Sequence, residues 1–290
     1  MDPSMSLGTR PNSPIAEIRR YREERSVTDV MAKGLHLLPA GIAFLVPVSF
    51  LITYGIAVWE QHVKPFLPYV SSTGTMAPES YVFSLLVNIT AYLLGICVYL
   101  RYLYVKKFAR FRNPRGVWLN KFALWIGIAA CLGLDLVANF QVSAFSIPHY
   151  IGAFLCFIGG TIYFYLQTAV SYKMMEVIEM PHLHVLRTWL SVLSFLLIVV
   201  VVACGVAAKM MFPGKGSEER QWLPKDRGYI PHILSAAGEW FLVLAHGALL
   251  LTFLPSFSCI TIKAPVVVIE GITESYSEPI HIISAGNPYR

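Results

Sequence analysis

Amide and ionisable side chains interrupt the apolar stretches of this sequence, among them Asn88, Asp135, Asn139, Glu239 and His246. Such groups are costly inside a membrane, and they commonly mark proton relays, ion pathways or ligand sites. They can also form hydrogen bonds between helices that fix the packing and do nothing else. The sequence therefore supports two interpretations: a site for a proton, a cation or a lipid headgroup, or a purely structural polar cluster.

The positions of these residues along their apolar stretches suggest that they meet. Asp135 and Glu239 each lie six residues from one end of their stretch, and Asn88 lies seven residues from an end. With a rise of 1.5 Å per residue, all three lie roughly 10 Å below the same membrane surface. We predict one cluster of these residues with Asn139, and we place His246 nearer the midplane on the same helix face as Glu239. We expect Glu239 to be protonated or paired, because burial disfavours a charged carboxylate.

Six apolar stretches can position these side chains, because each has about the 20 residues that a helix needs to cross a bilayer. Apolar residues make up 56% of the 290 and charged residues 14%, and the mean hydropathy is +0.57. We predict an all-α polytopic membrane protein, with the fifth stretch the most exposed to lipid. The predicted spans are Leu37–Trp59, Tyr81–Leu100, Phe122–Gln141, Ile151–Tyr172, Thr188–Ala208 and Ile233–Phe253. A short turn, AFSIPHY, is expected to join spans three and four.

The basic residues predict the orientation of the spans. Of the 23 Lys and Arg residues, 17 fall on one side of the predicted membrane and six on the other. The side richer in Lys and Arg is normally cytosolic, so we expect both termini in the cytosol. The predicted domains are a basic segment (1–36), a six-helix membrane domain (37–254) and a cytosolic tail (255–290). The basic segment fits either an interfacial helix or a disordered tail.

One basic loop is a candidate contact for anionic lipid on the cytosolic side. Its residues are Lys106, Lys107, Arg110, Arg112 and Arg115. The formal net charge of +6 follows this membrane pattern, so we expect membrane lipids and other membrane proteins as partners, and no nucleic acid.

We expect no enzymatic activity and no cofactor. The sequence has no GxSxG, P-loop, CxxC or HExxH motif. A metal hydrolase of the membrane type is an alternative, because His149 and His232 fall on the same side as Asp135 and Glu239. The histidines of His182-Leu183-His184 fall on the opposite side, however, and no closely spaced ligand pair is present. We therefore predict no metal site.

A series of short motifs resembles the DRAM family (damage-regulated autophagy modulators), within the wider Frag/DRAM/Sfk group. The first loop contains PYVSSTGT, followed by Pro78-Glu79, and its signature residues are Tyr69, Thr73, Gly74, Thr75, Pro78 and Glu79. Further matching residues follow in order: Asn88, Val137–Gln141, Gln167-Thr168, Ser171–Lys173, Asp226, Gly228-Tyr229, His232 and Glu239-Trp240. Thr73-Gly74-Thr75 predicts a tight turn in which Gly74 adopts positive φ.

The resemblance implies six helices with cytosolic termini and a non-enzymatic role in promoting autophagy. It favours a lysosomal or endosomal membrane, with the ER, the Golgi or the plasma membrane as alternatives. Two function classes stay open. The first is a scaffold or subunit of a larger membrane complex. The second is a lipid-handling subunit, linked to phospholipid, GPI or phosphoinositide, that uses the polar cluster.

Overall fold

The computed structural model describes residues 34–109, 114–174, 181–212 and 221–262. The predicted basic segment, except for its last three residues, and most of the predicted tail lie outside these ranges. The described residues are helical and contain no strand, and six of the helices are long and apolar enough to cross a membrane. The all-α, six-span prediction is confirmed.

Six long helices form the bundle: α1 (Leu37–Trp59), α2 (Glu79–Ala109), α3 (Pro114–Asn139), α4, α5 (Pro181–Met211) and α6 (Tyr229–Leu251). Helix α4 consists of Ser146–Ala153, a π-helical segment Phe154–Gly159, and Gly160–Met174. A short helix, α7 (Leu254–Ser258), continues beyond α6 and buries Phe257. We call the end of the bundle that carries residues 60–78 the loop end, and the end that carries α7 the tail end.

Apart from α1, the helices are longer than the predicted spans, because polar residues continue them past the apolar stretches. Helix α2 runs through the basic residues up to Ala109. Helix α4 begins at Ser146, so the expected turn AFSIPHY is helical from its third residue onward. Pro148 lies in the first turn of this helix, where the missing N–H of proline breaks no helical hydrogen bond.

The helices pack in an order that the sequence did not reveal. Helix α3 packs on α2 and α4, whereas α6 packs mainly on α5 and α1. Helix α5 has the smallest buried share of the six spans, 11%, which confirms that the fifth span is the most exposed.

Two glycines bring α3 and α4 together at the loop end. A Cβ atom on Gly133 would lie 2.6 Å from the backbone oxygen of Gly152 and from the backbone nitrogen of Cys156. Small residues allow helices in a membrane to approach this closely. The loop-end part of α4 is therefore drawn onto α3, whereas only its tail-end part, Gly160–Met174, packs extensively on α5.

Candidate functional site

The predicted polar residues of α2 and α3 meet at the loop end. The side-chain amides of Asn88 and Asn139 donate to each other's oxygens at 3.1 and 2.9 Å. Asn139 Nδ2 also lies 2.8 Å from the backbone oxygen of Asp135 and 3.5 Å from its Oδ1. Nearby, Ser84 Oγ donates to the carbonyl of Ala138 at 2.5 Å. These bonds join two helices, and Asn139 itself is exposed at the surface of the bundle.

Glu239 has a different set of partners. Its Oε2 accepts a hydrogen bond of 2.9 Å from the backbone N–H of Val70, and the backbone amide of Ser71 is a second donor. The next residue, Trp240, donates its indole N–H to the carbonyl of Pro68 at 2.9 Å. Two successive residues of α6 therefore fix the loop between α1 and α2. The expectation that Glu239 is protonated or paired stays a prediction.

The prediction of a single cluster is wrong. Among the described residues, no hydrogen bond joins Glu239 to Asn88, Asp135 or Asn139. Residue counting placed these groups near the same end of the bundle, but α6 packs on α1 and α5 rather than on α3. Glu239 consequently faces the loop and the interior of the bundle, while the Asn88–Asn139 pair lies on the α2–α3 seam.

Aromatic rings support the same loop from the side of α6. The Tyr69 ring meets the His232 ring edge-on, with centroids 4.7 Å apart, and Trp222 stacks on His232 at 4.5 Å. Burial raises the pKa of the Tyr69 hydroxyl to about 12, against the effect of a hydrogen bond with Ser235. Tyr69 therefore stays protonated at any physiological pH.

A cavity of about 740 Å³ lies beneath this loop, inside the bundle. Residues 69–72 line it at the loop end, and all six long helices contribute to its walls. Glu239 and His246 both line it, so the prediction that these two residues share one face of α6 is confirmed. His246 Nε2 lies 2.9 Å from Thr161 Oγ1, which ties α6 to α4 nearer the middle of the bundle.

The histidines considered as metal ligands have structural partners here. His149 Nδ1 lies 2.7 Å from the carbonyl oxygen of Phe140, and His232 is held between two aromatic rings. Within the described ranges, no three His, Cys, Asp or Glu side chains are grouped so that they could hold a metal ion.

The signature residues of the first loop stabilise its shape from within. Thr73 Oγ1 donates to the carbonyl of Val70 at 2.7 Å, and Thr75 Oγ1 donates to that of Ser72 at 2.9 Å. These bonds hold the short 3₁₀ helix Ser71–Gly74. Glu79 is fully buried at the start of α2, with its Oε1 2.7 Å from His62 Nδ1.

Gly74 is required for space rather than for positive φ, which corrects our expectation. Among the described glycines, only Gly228 has a positive φ, of 85°. A Cβ atom on Gly74 would overlap the Phe83 ring, lying 2.5 Å from Cδ2. We therefore expect Gly74→Val to lower the yield of folded protein in detergent more than Ser72→Val. Equal yields, measured by size-exclusion chromatography, would show that the Phe83 ring can move aside.

The hydrogen bond between Val70 and Glu239 is expected to stabilise the fold. Glu239→Leu leaves the buried N–H of Val70 without an acceptor, which should cost about 1–3 kcal/mol of unfolding free energy. Glu239→Gln retains a carbonyl acceptor of similar size and should be tolerated better. Thermal unfolding of both variants in one detergent provides the comparison. If Leu and Gln lower the midpoint equally, the bond to the loop does not stabilise the fold.

Comparison with known proteins places this architecture in a family. The model of the Frag1/DRAM/Sfk1/Cwh43P N-terminal domain matches residues 34–260. The chain belongs to this Frag1/DRAM family. Over 243 residues it is 35% identical to DNA damage-regulated autophagy modulator protein 2 of Bos taurus, covering 80% of this chain and 87% of that relative.

Other relatives of this Frag1/DRAM protein have related names. DNA damage-regulated autophagy modulator protein 1 of Mus musculus is 33% identical over 235 residues, covering 80% of this chain and 94% of that one. Modulator of macroautophagy TMEM150B of Bos taurus is 35% identical over 145 residues, covering 48% and 58% of the two chains. No solved structure matches the chain significantly.

A buried arginine centre lies at the tail end of this Frag1/DRAM bundle, and sequence reasoning missed it. Arg101 on α2 and Arg187 on α5 are each only 1% exposed. Both donate to Ser171 Oγ on α4, at 3.1 and 2.6 Å. Both guanidinium groups also lie over the Phe253 ring, at 4.8 and 5.2 Å from its centroid. The signal was present in the sequence, because Gln167 and Ser171 form a polar pair one helical turn apart on α4.

Further bonds anchor each arginine separately. Arg101 donates to Gln167 Oε1 at 3.2 Å and to Ser256 Oγ at 2.7 Å, which connects α2 to α4 and α7. Arg187 donates to Thr252 Oγ1 at 2.8 Å and to the Thr252 carbonyl at 2.6 Å. The predicted spans Tyr81–Leu100 and Thr188–Ala208 leave both arginines just outside the membrane, whereas they lie within helices and join the tail ends of four helices.

The predicted contact with anionic lipid is described in part. Lys106 is exposed near the end of α2, with its ammonium group 5.7 Å from the centroid of the Tyr102 ring. Lys107 is half-buried. Arg110 and Arg112 lie outside the described residues, as does the side chain of Arg115. The lipid contact stays a prediction.

Proposed function

We propose that this protein is a non-enzymatic multi-pass membrane protein that modulates autophagy from an endomembrane, in particular the lysosomal or endosomal membrane. One observation carries the proposal. Relatives named as DNA damage-regulated autophagy modulators align over 80% of the chain and over 87–94% of their own length. Such coverage includes the membrane bundle as a whole rather than one shared helix.

Two features of the fold support a scaffold or subunit role within this function. Helix α5 exposes a long apolar face that includes Trp189, Leu193 and Leu196, and another membrane protein can pack on it. On the opposite face, α5 lines the loop-capped cavity. We infer that the cavity and its loop are the part of the bundle through which autophagy is modulated, because two polar side chains of α6, Glu239 and Trp240, form hydrogen bonds with that loop.

Orientation is part of the proposal. The excess of Lys and Arg on the tail side of the spans favours cytosolic termini. In a lysosomal membrane, the loop end with its cavity would then face the lumen.

The test uses cells in which the gene has been deleted. Autophagic flux is measured as the accumulation of a lipidated autophagosome marker with and without an inhibitor of lysosomal proteolysis. We expect deletion to lower flux and re-expression of the full chain to restore it, with the tagged protein on lysosomal or endosomal membranes. Unchanged flux after deletion under starvation would contradict the proposal.

A second candidate function, lipid binding, is favoured by the size and lining of the cavity. Ligand pockets in proteins commonly measure roughly 300–1,000 Å³ and are mainly apolar. The cavity of about 740 Å³ falls within this range and lies among membrane-spanning helices.

A further inference from the structure

The cavity is elongated along the membrane normal. Its lining on α6 runs from Ser235 to Leu250, which corresponds to roughly 22 Å at 1.5 Å per residue. Most lining residues along this length are apolar, including Leu94, Ala130 and Leu242. An apolar cavity of this length along the helices suits an extended acyl chain better than a compact polar metabolite.

The cavity has an opening towards the membrane between α4 and α5. Four residues line the cavity and are also about half exposed at the surface: Tyr150 (50%) and Phe154 (58%) on α4, and Val202 (52%) and Val206 (54%) on α5. The two helices pack on each other near the tail end, but α4 bends onto α3 at the loop end through Gly133. The π-helical segment Phe154–Gly159 lies where α4 changes partners, and such segments often occur at functional sites.

A basic side chain lies at the loop-end edge of this opening. Lys209 lines the cavity in the last turn of α5, where a membrane helix reaches the headgroup layer. Its ammonium group lies 3.4 Å from the Tyr150 hydroxyl and 5.4 Å from the centroid of that ring. An ammonium and a phenol hydroxyl are two donors of the kind that bind a phosphate oxygen.

We propose that this cavity binds one glycerophospholipid, which enters laterally between α4 and α5, with an acyl chain along the apolar tube and its phosphate at Lys209 and Tyr150. This inference names the class of ligand that the candidate site binds. Its role in autophagy rests on the proposed function. Phospholipid is favoured over sterol because the charged edge matches a phosphate, which a sterol lacks.

The experiment uses the full chain in nanodiscs of phosphatidylcholine. A small fraction of the lipid is a phosphatidylcholine with a photoactivatable diazirine in one acyl chain, and a diazirine sterol is used in parallel. After illumination, peptide mass spectrometry locates the adducts. Val243 is the diagnostic position, because it lines the cavity and is buried from the outer surface of the bundle. We expect phospholipid adducts on Val243 or on neighbouring cavity-lining residues of α6.

Variants at the opening provide matched controls. Val206→Trp narrows the opening and should lower cavity adducts at least fivefold. Val199→Trp changes a residue that is 50% exposed on the same helix but does not line the cavity, and it should leave the adducts unchanged. Lys209→Gln removes the charge at the edge and should lower phospholipid adducts while leaving any sterol adducts unchanged.

Three results would overturn the inference: no phospholipid adduct inside the cavity of the wild-type protein, equal labelling in Val206→Trp and Val199→Trp, or cavity labelling by the sterol probe alone. The wild-type measurement decides the first and third even if a variant does not fold. Labelling uses purified protein, so its result is independent of the flux measurement. Absent labelling would overturn the lipid inference even if deletion of the gene lowers flux. Labelling of the cavity would support it even if deletion leaves flux unchanged.

Discussion

Arg187→Ala should lower the unfolding free energy by about 3–5 kcal/mol, because it removes buried hydrogen bonds from a charged donor, each worth about 1.5–3 kcal/mol, and leaves a cavity. Hydrogen bonds of the guanidinium group include three, at 2.6–2.8 Å, to Thr252 and Ser171. Removing it leaves Ser171 Oγ with one arginine donor instead of two and opens a void beside Phe253. We expect a large drop in the midpoint of thermal unfolding in detergent, together with a lower folded yield.

Two controls separate this effect from a general loss of positive charge. Lys121→Ala removes an exposed lysine from α3 and should change stability by less than about 0.5 kcal/mol. Arg187→Lys keeps the charge but not the planar fork of donors, so it should recover only part of the stability. If Arg187→Ala unfolds at the same temperature as Lys121→Ala, the arginine centre does not stabilise the bundle.

Gly133→Ala is expected to destabilise the protein by about 1–3 kcal/mol, although alanine is the better helix former. The added methyl group would lie 2.6 Å from backbone atoms of α4, which cannot rotate away as a side chain could. Relief requires α4 to move off α3, towards α5. The same change should therefore narrow the opening of the cavity.

Gly95→Ala on α2 is the matched control. A Cβ atom at Gly95 would meet nothing within 4 Å, so the substitution should be neutral or should stabilise by up to about 1 kcal/mol. In one detergent, the midpoint of thermal unfolding should thus fall for Gly133→Ala and should stay unchanged or rise for Gly95→Ala. Equal midpoints would show that the close approach of α3 and α4 is not maintained in the protein.

The sequence predicted the elements of the fold better than their arrangement. The apolar stretch Leu37–Trp59 coincides with α1, because its ends are set by an abrupt change in polarity. The other helices are longer than predicted, because basic residues such as Lys106 and Lys107 continue the helical hydrogen bonding beyond the apolar segment. Hydropathy indicates where the bilayer ends, which is not where a helix ends.

The candidate site could be predicted only in part, because residue counting gives a depth but not a neighbour. It placed Asn88 and Asn139 correctly near one another, and it placed Glu239 at the same end of the bundle. It could not show that α6 packs away from α3, since helix order depends on contacts spread over many small residues. The loop contact of Glu239 was equally hidden, because its partners are backbone amides, which any sequence supplies.

Autophagic flux in deletion cells that re-express opening variants tests the central claim most directly, namely that the loop-capped cavity is the functional part of the bundle. Val206→Trp and Val199→Trp are expressed at equal levels and checked for equal location. The account predicts that Val199→Trp restores flux as the wild type does and that Val206→Trp does not. Full restoration of flux by Val206→Trp would contradict it.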